Sequence, residues 1–268
     1  MSQNRSSVTA AASILAARRT SNEQGPRLPE SCRPLDTDTA LAIQAAVTAQ
    51  LGERIGGWKC GMPVQGATVL APIHAGTIHT ASPCAALART GQVRIEPELA
   101  FILGHDLPPR DAPYSTAEVD AAITRTHLAL ELIDSRYSNP GEADFAENLA
   151  DGLLNQGLFI GPQVDGEKAR MTGAMPISVT LESGEATQLD GRHPNAEPRA
   201  PLYWLVEFLR SKGQGLRAGQ AVITGSYAGS FDVPAEQEIT IRYGELGVLK
   251  VRFAPAAPPA PPAPTAPT

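Results

Sequence analysis

Between Ile55 and Phe253 the chain is cut by glycine and proline into short apolar runs, among them VRIEPELAFIL, LALELI, GLFIG, PISVTLE, AVITG and ITIRYG. Runs of this length, rich in Val, Ile and Phe and bounded by turn formers, read as strands. Strands must pair and bury a face, so the stretch predicts one β-rich body rather than a helical bundle. The chain's 268 residues suffice for one large domain with a substantial core.

The residues before this body read differently. Positions 8–19 predict one helix, and DTDTALAIQAAVTAQLG, 36–52, predicts a second, with Leu41, Ile43, Ala46, Val47 and Leu51 on its apolar side and Gly52 as its stop. Residues 1–55 are therefore expected to be a helical segment ahead of a β-rich domain, 56–253. Two helices are expected inside that domain. One starts at Ser115, which forms a capping box with Glu118 ahead of Val119, Ala122, Ile123 and Thr126. The other is PLYWLVEFLRSKG, with Pro201 in its first turn and Gly213 just past its end. The tail from Ala254 is built of Pro and Ala and predicts an extended, disordered segment, 254–268.

A net charge of -6 argues against a nucleic-acid partner, which would require a basic face to displace counterions. Cys32, Cys60 and Cys84 are odd in number and lack CxxC spacing, so neither a disulfide framework nor a zinc knuckle is indicated, and a reducing cytoplasm fits. No apolar run reaches the roughly 18 residues that a spanning helix requires, so no membrane partner is expected. The N-terminus lacks a secretory signal; its acid-free, Arg- and Ser-containing first twenty residues share the pattern of a transit peptide, but an amphipathic surface helix produces the same one.

The chemistry concentrates in RIEPELAFILGHDLP, 94–108. Side chains alternate along a strand, so Glu96 and Glu98 point to one face and Pro97 to the other. Two carboxylates that close repel, and burial adds a desolvation cost, so a positive partner is called for. Oxygen ligands favour a hard ion, Mg²⁺ or Mn²⁺. A solvated edge strand is the plainer alternative, and Pro97, which cannot donate to a ladder, is compatible with it. In LALELIDSR, Glu131 stands alone between leucines and shares its face with Ala129 and Ile133; it calls either for the same ion or for a cation such as Arg136. Lys59, within GGWKCG, sits in a compact apolar setting that suits proton transfer or the orientation of a substrate carboxylate, or else a lysine snorkelling from a strand end.

In order along the chain, GWKCG, RIEPELAFILGHDLP, LELIDSR, LADGLLNQGLFIG, RHP and AVITGS resemble the 2-keto-4-pentenoate hydratase family, which with the 4-oxalocrotonate decarboxylases lies in the fumarylacetoacetate hydrolase superfamily. The resemblance covers about 8–253. It implies an α+β fold, a rolled mixed β-structure with outer helices, and a homo-oligomer. It implies that Glu96, Glu98 and Glu131 are the ligands of Mg²⁺ or Mn²⁺ and that Lys59 is the active-site lysine; beside these, Asp151 is a catalytic candidate for holding the water, and Arg136, Thr224 and Ser226 are candidate substrate contacts. The sequence departs from the family pattern where Asp151-Gly152 is followed by Leu153 and Leu154, in a shorter segment from Met62 to His79, and in extra residues after His193-Pro194.

The function expected on this basis is hydration of a 2-hydroxy-2,4-dienoate to a 4-hydroxy-2-keto acid, as in aromatic catabolism. The alternatives are a decarboxylase of the 4-oxalocrotonate type, an acylpyruvate hydrolase, and a non-catalytic protein that binds a small keto acid.

Overall fold

The fold is taken from a computed structural model that describes residues 2–256. Helices α1 (Ser2–Ser21) and α2 (Thr37–Leu51) open the chain. Asp36 caps α2 by accepting from Thr39 N, and Gly52 ends it in the left-handed conformation at φ 66°. The two helices pack on one another over Ala11, Leu15, Ala40 and Ile43, all fully buried.

The strands begin where the Gly- and Pro-punctuated texture begins. They are β1 (Ile55–Val64), β2 (Ala67–His74), β3 (Ile78–His79), β4 (Cys84–Ala86), β5 (Gln92–Leu103), β6 (Ile123–Ile133) and β7 (Asn155–Val164), followed by β8 (Ala174–Leu181), β9 (Ala186–Arg192), β10 (Ala221–Ile223), β11 (Phe231–Pro234), β12 (Glu238–Tyr243) and β13 (Gly247–Pro255). An eight-stranded mixed sheet runs β2-β1-β10-β5-β6-β7-β3, with β11 added to β5; a second sheet runs β4-β13-β12-β8-β9. Because β3 follows β2 in the chain yet pairs with β7, the first sheet is rolled. The main core, including Leu99, Phe101, Leu128, Leu130, Val222, Ile241 and Phe253, lies on one face of this sheet. A smaller apolar cluster of Ile73, Ala100, Ile102, Ala129, Leu158 and Ile223 lies on the other.

Four helices, not two, interrupt the β region: α3 (Thr116–Ala122), α4 (Phe145–Ala150), α5 (Gly166–Arg170) and α6 (Ala200–Ser211). The Ser115–Glu118 capping box is present, but α3 ends at Ala122 and the chain passes directly into β6, so Ile123 and Thr126 are strand residues. Tertiary pairing with β5 overrides the helical spacing there. The helices α4 and α5 are too short for a periodic signal, although Asp144 and Glu147 form a second capping box that marks the start of α4. Residues Ala254 and Pro255, expected to open the disordered tail, instead pair with Ala85 and Ala86; the remainder of that expectation, 257–268, lies outside the described residues.

Candidate active site

Pairing places the three glutamates. Glu96 stands directly opposite Glu131, and Glu98 opposite Ala129, so alternation puts all three carboxylates on one face, the face that also carries the smaller apolar cluster. One carboxylate oxygen from each lies within 4.8 Å of the others. The edge-strand alternative for β5 does not hold: the strand pairs with β6 along its length and on its other side with β11 and then β10. Pro97 falls in the gap between β11 and β10, where its carbonyl accepts from Tyr227 N at 2.9 Å and its missing N–H costs no ladder bond.

Glu131 is fully buried and Glu98 is 2% exposed. Burial, then the neighbouring charges of Glu131 and Glu96, pushes the Glu98 carboxyl well above the usual range, while the N–H of Gly225, donating to its Oε2 at 2.7 Å, opposes the shift. Glu96 is raised as well, by burial and by Glu131. A site that pays this cost in like charge suits a cation. Lys59 supplies part of the compensation. Its Nζ lies 2.7 Å from Glu131 Oε1 and donates to the Leu153 carbonyl at 3.1 Å. Burial lowers the Lys59 pKa, but Glu131 and Glu96 outweigh it and the ammonium is held above its ordinary value. The opposite oxygen, Glu131 Oε2, is buried without a hydrogen-bond partner. An orphaned carboxylate oxygen beside two more carboxylates fits a divalent ion with oxygen ligands.

The surrounding groups fix these side chains. Asn155 Nδ2 donates to Glu131 Oε1 at 2.8 Å and also to the Gly157 carbonyl. The carbonyl that meets Lys59 is presented by three successive residues at positive φ, Gly152 (84°), Leu153 (52°) and Leu154 (66°). Thr224 Oγ1 lies 3.3 Å from Nε2 of the buried His193, next to the Gly225 N–H that holds Glu98. The Ser226 hydroxyl donates to the carbonyls of Pro97 and Gly229. Asp151 and Arg136 meet each other: Arg136 Nε donates to both Asp151 carboxylate oxygens, at 2.8 and 2.9 Å. Among the described residues no hydrogen bond or ion pair joins either of them to the three glutamates. Sequence reasoning passed over Asn155, His193, the Gly225 N–H and the Leu153 carbonyl. The last two are backbone groups with no residue type to mark them, and only the strand pairing points Asn155 at Glu131.

No family model matches the chain. It is 26% identical over 173 residues to 2-keto-4-pentenoate hydratase 1 of Dechloromonas aromatica, the match taking in 63% of this chain and spanning 63% of that protein's length. It is 26% identical over 238 residues to 2-keto-4-pentenoate hydratase of Paraburkholderia phymatum, covering 85% and 90% of the two chains. It is 28% identical over 140 residues, 51% of each chain, to a 4-oxalocrotonate decarboxylase of Pseudomonas putida. Among solved structures, a 4-oxalocrotonate decarboxylase from Pseudomonas putida complexed with magnesium and adipate superposes at TM-score 0.74 and 20% identity, over 93% of this chain and 98% of that one. A fumarylacetoacetate hydrolase family protein from Yersinia pestis superposes at 0.53 and 19%, over 74% and 92%. The chain is thus similar in sequence to 2-keto-4-pentenoate hydratases and 4-oxalocrotonate decarboxylases, and it shares the α+β fold of the solved 4-oxalocrotonate decarboxylase and fumarylacetoacetate hydrolase family structures.

Proposed function

We propose that the protein is a metal-dependent hydratase that converts a 2-hydroxy-2,4-dienoate into a 4-hydroxy-2-keto acid. The observation that carries this reading is the convergence of Glu96, Glu98 and Glu131 within 4.8 Å, with the Lys59 ammonium against one of them. The three carboxylates would hold Mg²⁺ or Mn²⁺, which when bound supplies Lewis-acid stabilisation of negative charge at the substrate's 2-oxygen. Lys59 is the proton carrier, delivering a proton to C5 of the dienol and taking up the one released by the 2-hydroxyl, so that a 2-keto group conjugated with a C3–C4 double bond remains. Water then adds at C4, its proton going to C3. Lys59 is held for this by Glu131 and the Leu153 carbonyl. Asn155 orients Glu131, and Gly225 N–H orients Glu98. Asp151 takes the supporting part of fixing Arg136 and, through the loop they share, the Leu153 carbonyl. Thr224 and Ser226 border the glutamates as substrate contacts, and the smaller apolar cluster continues the same sheet face beside the carboxylates.

The test is to load purified protein with Mg²⁺ or Mn²⁺ and offer it a panel of 2-hydroxydienoates together with 4-oxalocrotonate and acylpyruvates. Metal-dependent product heavier than substrate by one water supports hydration. Loss of CO₂ instead assigns the protein to the decarboxylases, carbon–carbon cleavage assigns it to the acylpyruvate hydrolases, and ligand binding without turnover assigns it to the keto-acid binders.

A further inference from the structure

The loop from Asp151 to Asn155 has a second side. Where one side offers the Leu153 carbonyl and the Asn155 amide to Lys59 and Glu131, the other is gripped by Arg19: Nη1 donates to the Asn155 carbonyl at 3.3 Å, and Nη2 donates to the Asp151 carbonyl. Behind that grip lies a cavity of about 420 Å³ under the end of α1, walled by Arg18, Arg19, Arg136, His74 and His79 with Leu132 on an apolar side. Its volume falls in the range of small-ligand pockets. None of the three glutamates of the carboxylate site lines it.

The cavity carries more positive charge than its own acids neutralise. Three guanidinium groups converge there, and the acid bound to them is Asp151, shared by Arg19 and Arg136. Of the other acids that reach the cavity, Asp134 is taken by Arg89 at 2.8 Å, and Glu53 remains. Among the described residues Arg18 has no carboxylate partner; it donates to the Arg136 carbonyl at 3.1 Å and lies over the Tyr137 ring. Arg19 Nε is buried with no hydrogen-bond partner. His74 is pushed down to about 4 by burial, reinforced by the charges of Arg19 and Arg136, so both the field and the neutral ring are in place at neutral pH.

The geometry points to this cavity as a second binding site, for a small organic anion bearing a carboxylate or phosphate group, back to back with the carboxylate site and separate from it. Guanidinium groups provide paired donors matched to either anion, and the apolar wall at Leu132 accepts a short carbon chain.

The probes are inorganic phosphate and succinate, titrated by calorimetry into the full-length protein in EDTA, so that divalent metal plays no part. Saturable binding of one or both is expected. Arg18→Gln should weaken it at least fivefold, and His79→Glu, which sets a carboxylate in the half-exposed rim, should abolish it. Glu96→Gln should leave it unchanged. Absence of saturable binding for both probes, equal binding by the wild type and both cavity variants, or loss of binding in Glu96→Gln would overturn the assignment. Because no turnover is measured, failure here leaves the hydratase reading to its own test.

Discussion

At the scale of single residues, the site is governed by how much negative charge a rolled sheet can hold at buried positions. Glu98→Gln keeps an acceptor for the Gly225 N–H but removes one of three mutually repelling charges. The expected outcome is a metal-free protein at least as stable as the wild type, with metal affinity and turnover both reduced; calorimetric titration of Mn²⁺ alongside urea denaturation checks it. Lys59→Met keeps an apolar stem and deletes the ammonium on Glu131. Metal should still bind, and turnover should fall by roughly 10²- to 10⁴-fold, the usual contribution of a general acid-base group. Normal kcat/KM on the true substrate would leave Lys59 a structural residue. Asn155→Ala should lower metal affinity by about 10- to 100-fold, as loss of a group that orients a ligand does. His74 supplies a pH signature elsewhere. Its pKa in the folded protein, about 4 against an ordinary 6.5, means that the native state binds fewer protons than the unfolded chain between those values. Stability is therefore full above about 6.5 and falls as pH drops toward 4, by on the order of 3 kcal/mol. In His74→Gln the fall between pH 7 and pH 5 should be visibly shallower, whatever the cost of losing the Thr48 contact at neutral pH.

At the scale of elements, the decisive piece is the turn that links α4 to β7. Left-handed conformations cost L-residues roughly 1–2 kcal/mol each, and here Leu153 and Leu154 both adopt one after Gly152. Such strain persists where the surroundings enforce it. The enforcement is visible: Leu153 N donates to the Asn148 carbonyl at 2.7 Å, Asp134 N donates to the Leu154 carbonyl, and Arg19 and Arg136 hold the Asp151 carbonyl. Gly152 precedes them at φ 84°, where any L side chain is strained, and a Cβ there would also come 3.0 Å from Arg19 Nη2, the far end of a flexible side chain. Gly152→Val should destabilise the protein by about 1–2 kcal/mol, whereas Gly152→Asn, whose side chain tolerates the left-handed region, should cost clearly less. Equal losses on thermal denaturation would mean that contact with Arg19, not backbone conformation, sets the cost.

At the scale of the whole molecule, the roll of the first sheet ties the N-terminal helices to the site. Helix α1 delivers Arg19 to the loop that faces Lys59, and α2 delivers Gln44, whose amide donates to the carbonyls of Leu70 and Leu149. Because binding to the native state alone raises stability by mass action, about 2.7 kcal/mol at a hundredfold excess over Kd, Mg²⁺ or Mn²⁺ should raise the melting temperature saturably. The rise should vanish in Glu96→Gln. A metal response that survives this substitution would place the ion elsewhere.

Some of this is determined locally and is therefore present in the sequence. Asp36 and Gly52 bound α2, Ser115 and Glu118 start α3, and Pro201 starts α6, because a cap is satisfied within a few residues of itself. Strand alternation likewise puts Glu96 and Glu98 on one face whatever the rest of the chain does. Tertiary structure decided what needs partners distant in the chain. Pairing of β5 with β6 sets Glu131 across from Glu96, the parallel β1–β10 pair aligns Lys59 with Ile223 beside the Thr224–Gly225 turn, and the fold selects Lys59, not Arg136, as the cation on Glu131. Arg136 goes to Asp151 instead, and the chain leaves α3 for β6 at Ile123 against its helical spacing. The physical reason is common to these cases: a buried charge or an unpaired strand takes the partner that the sheet brings within reach, and a sheet assembles residues whose separation along the chain has no bearing on their distance in space.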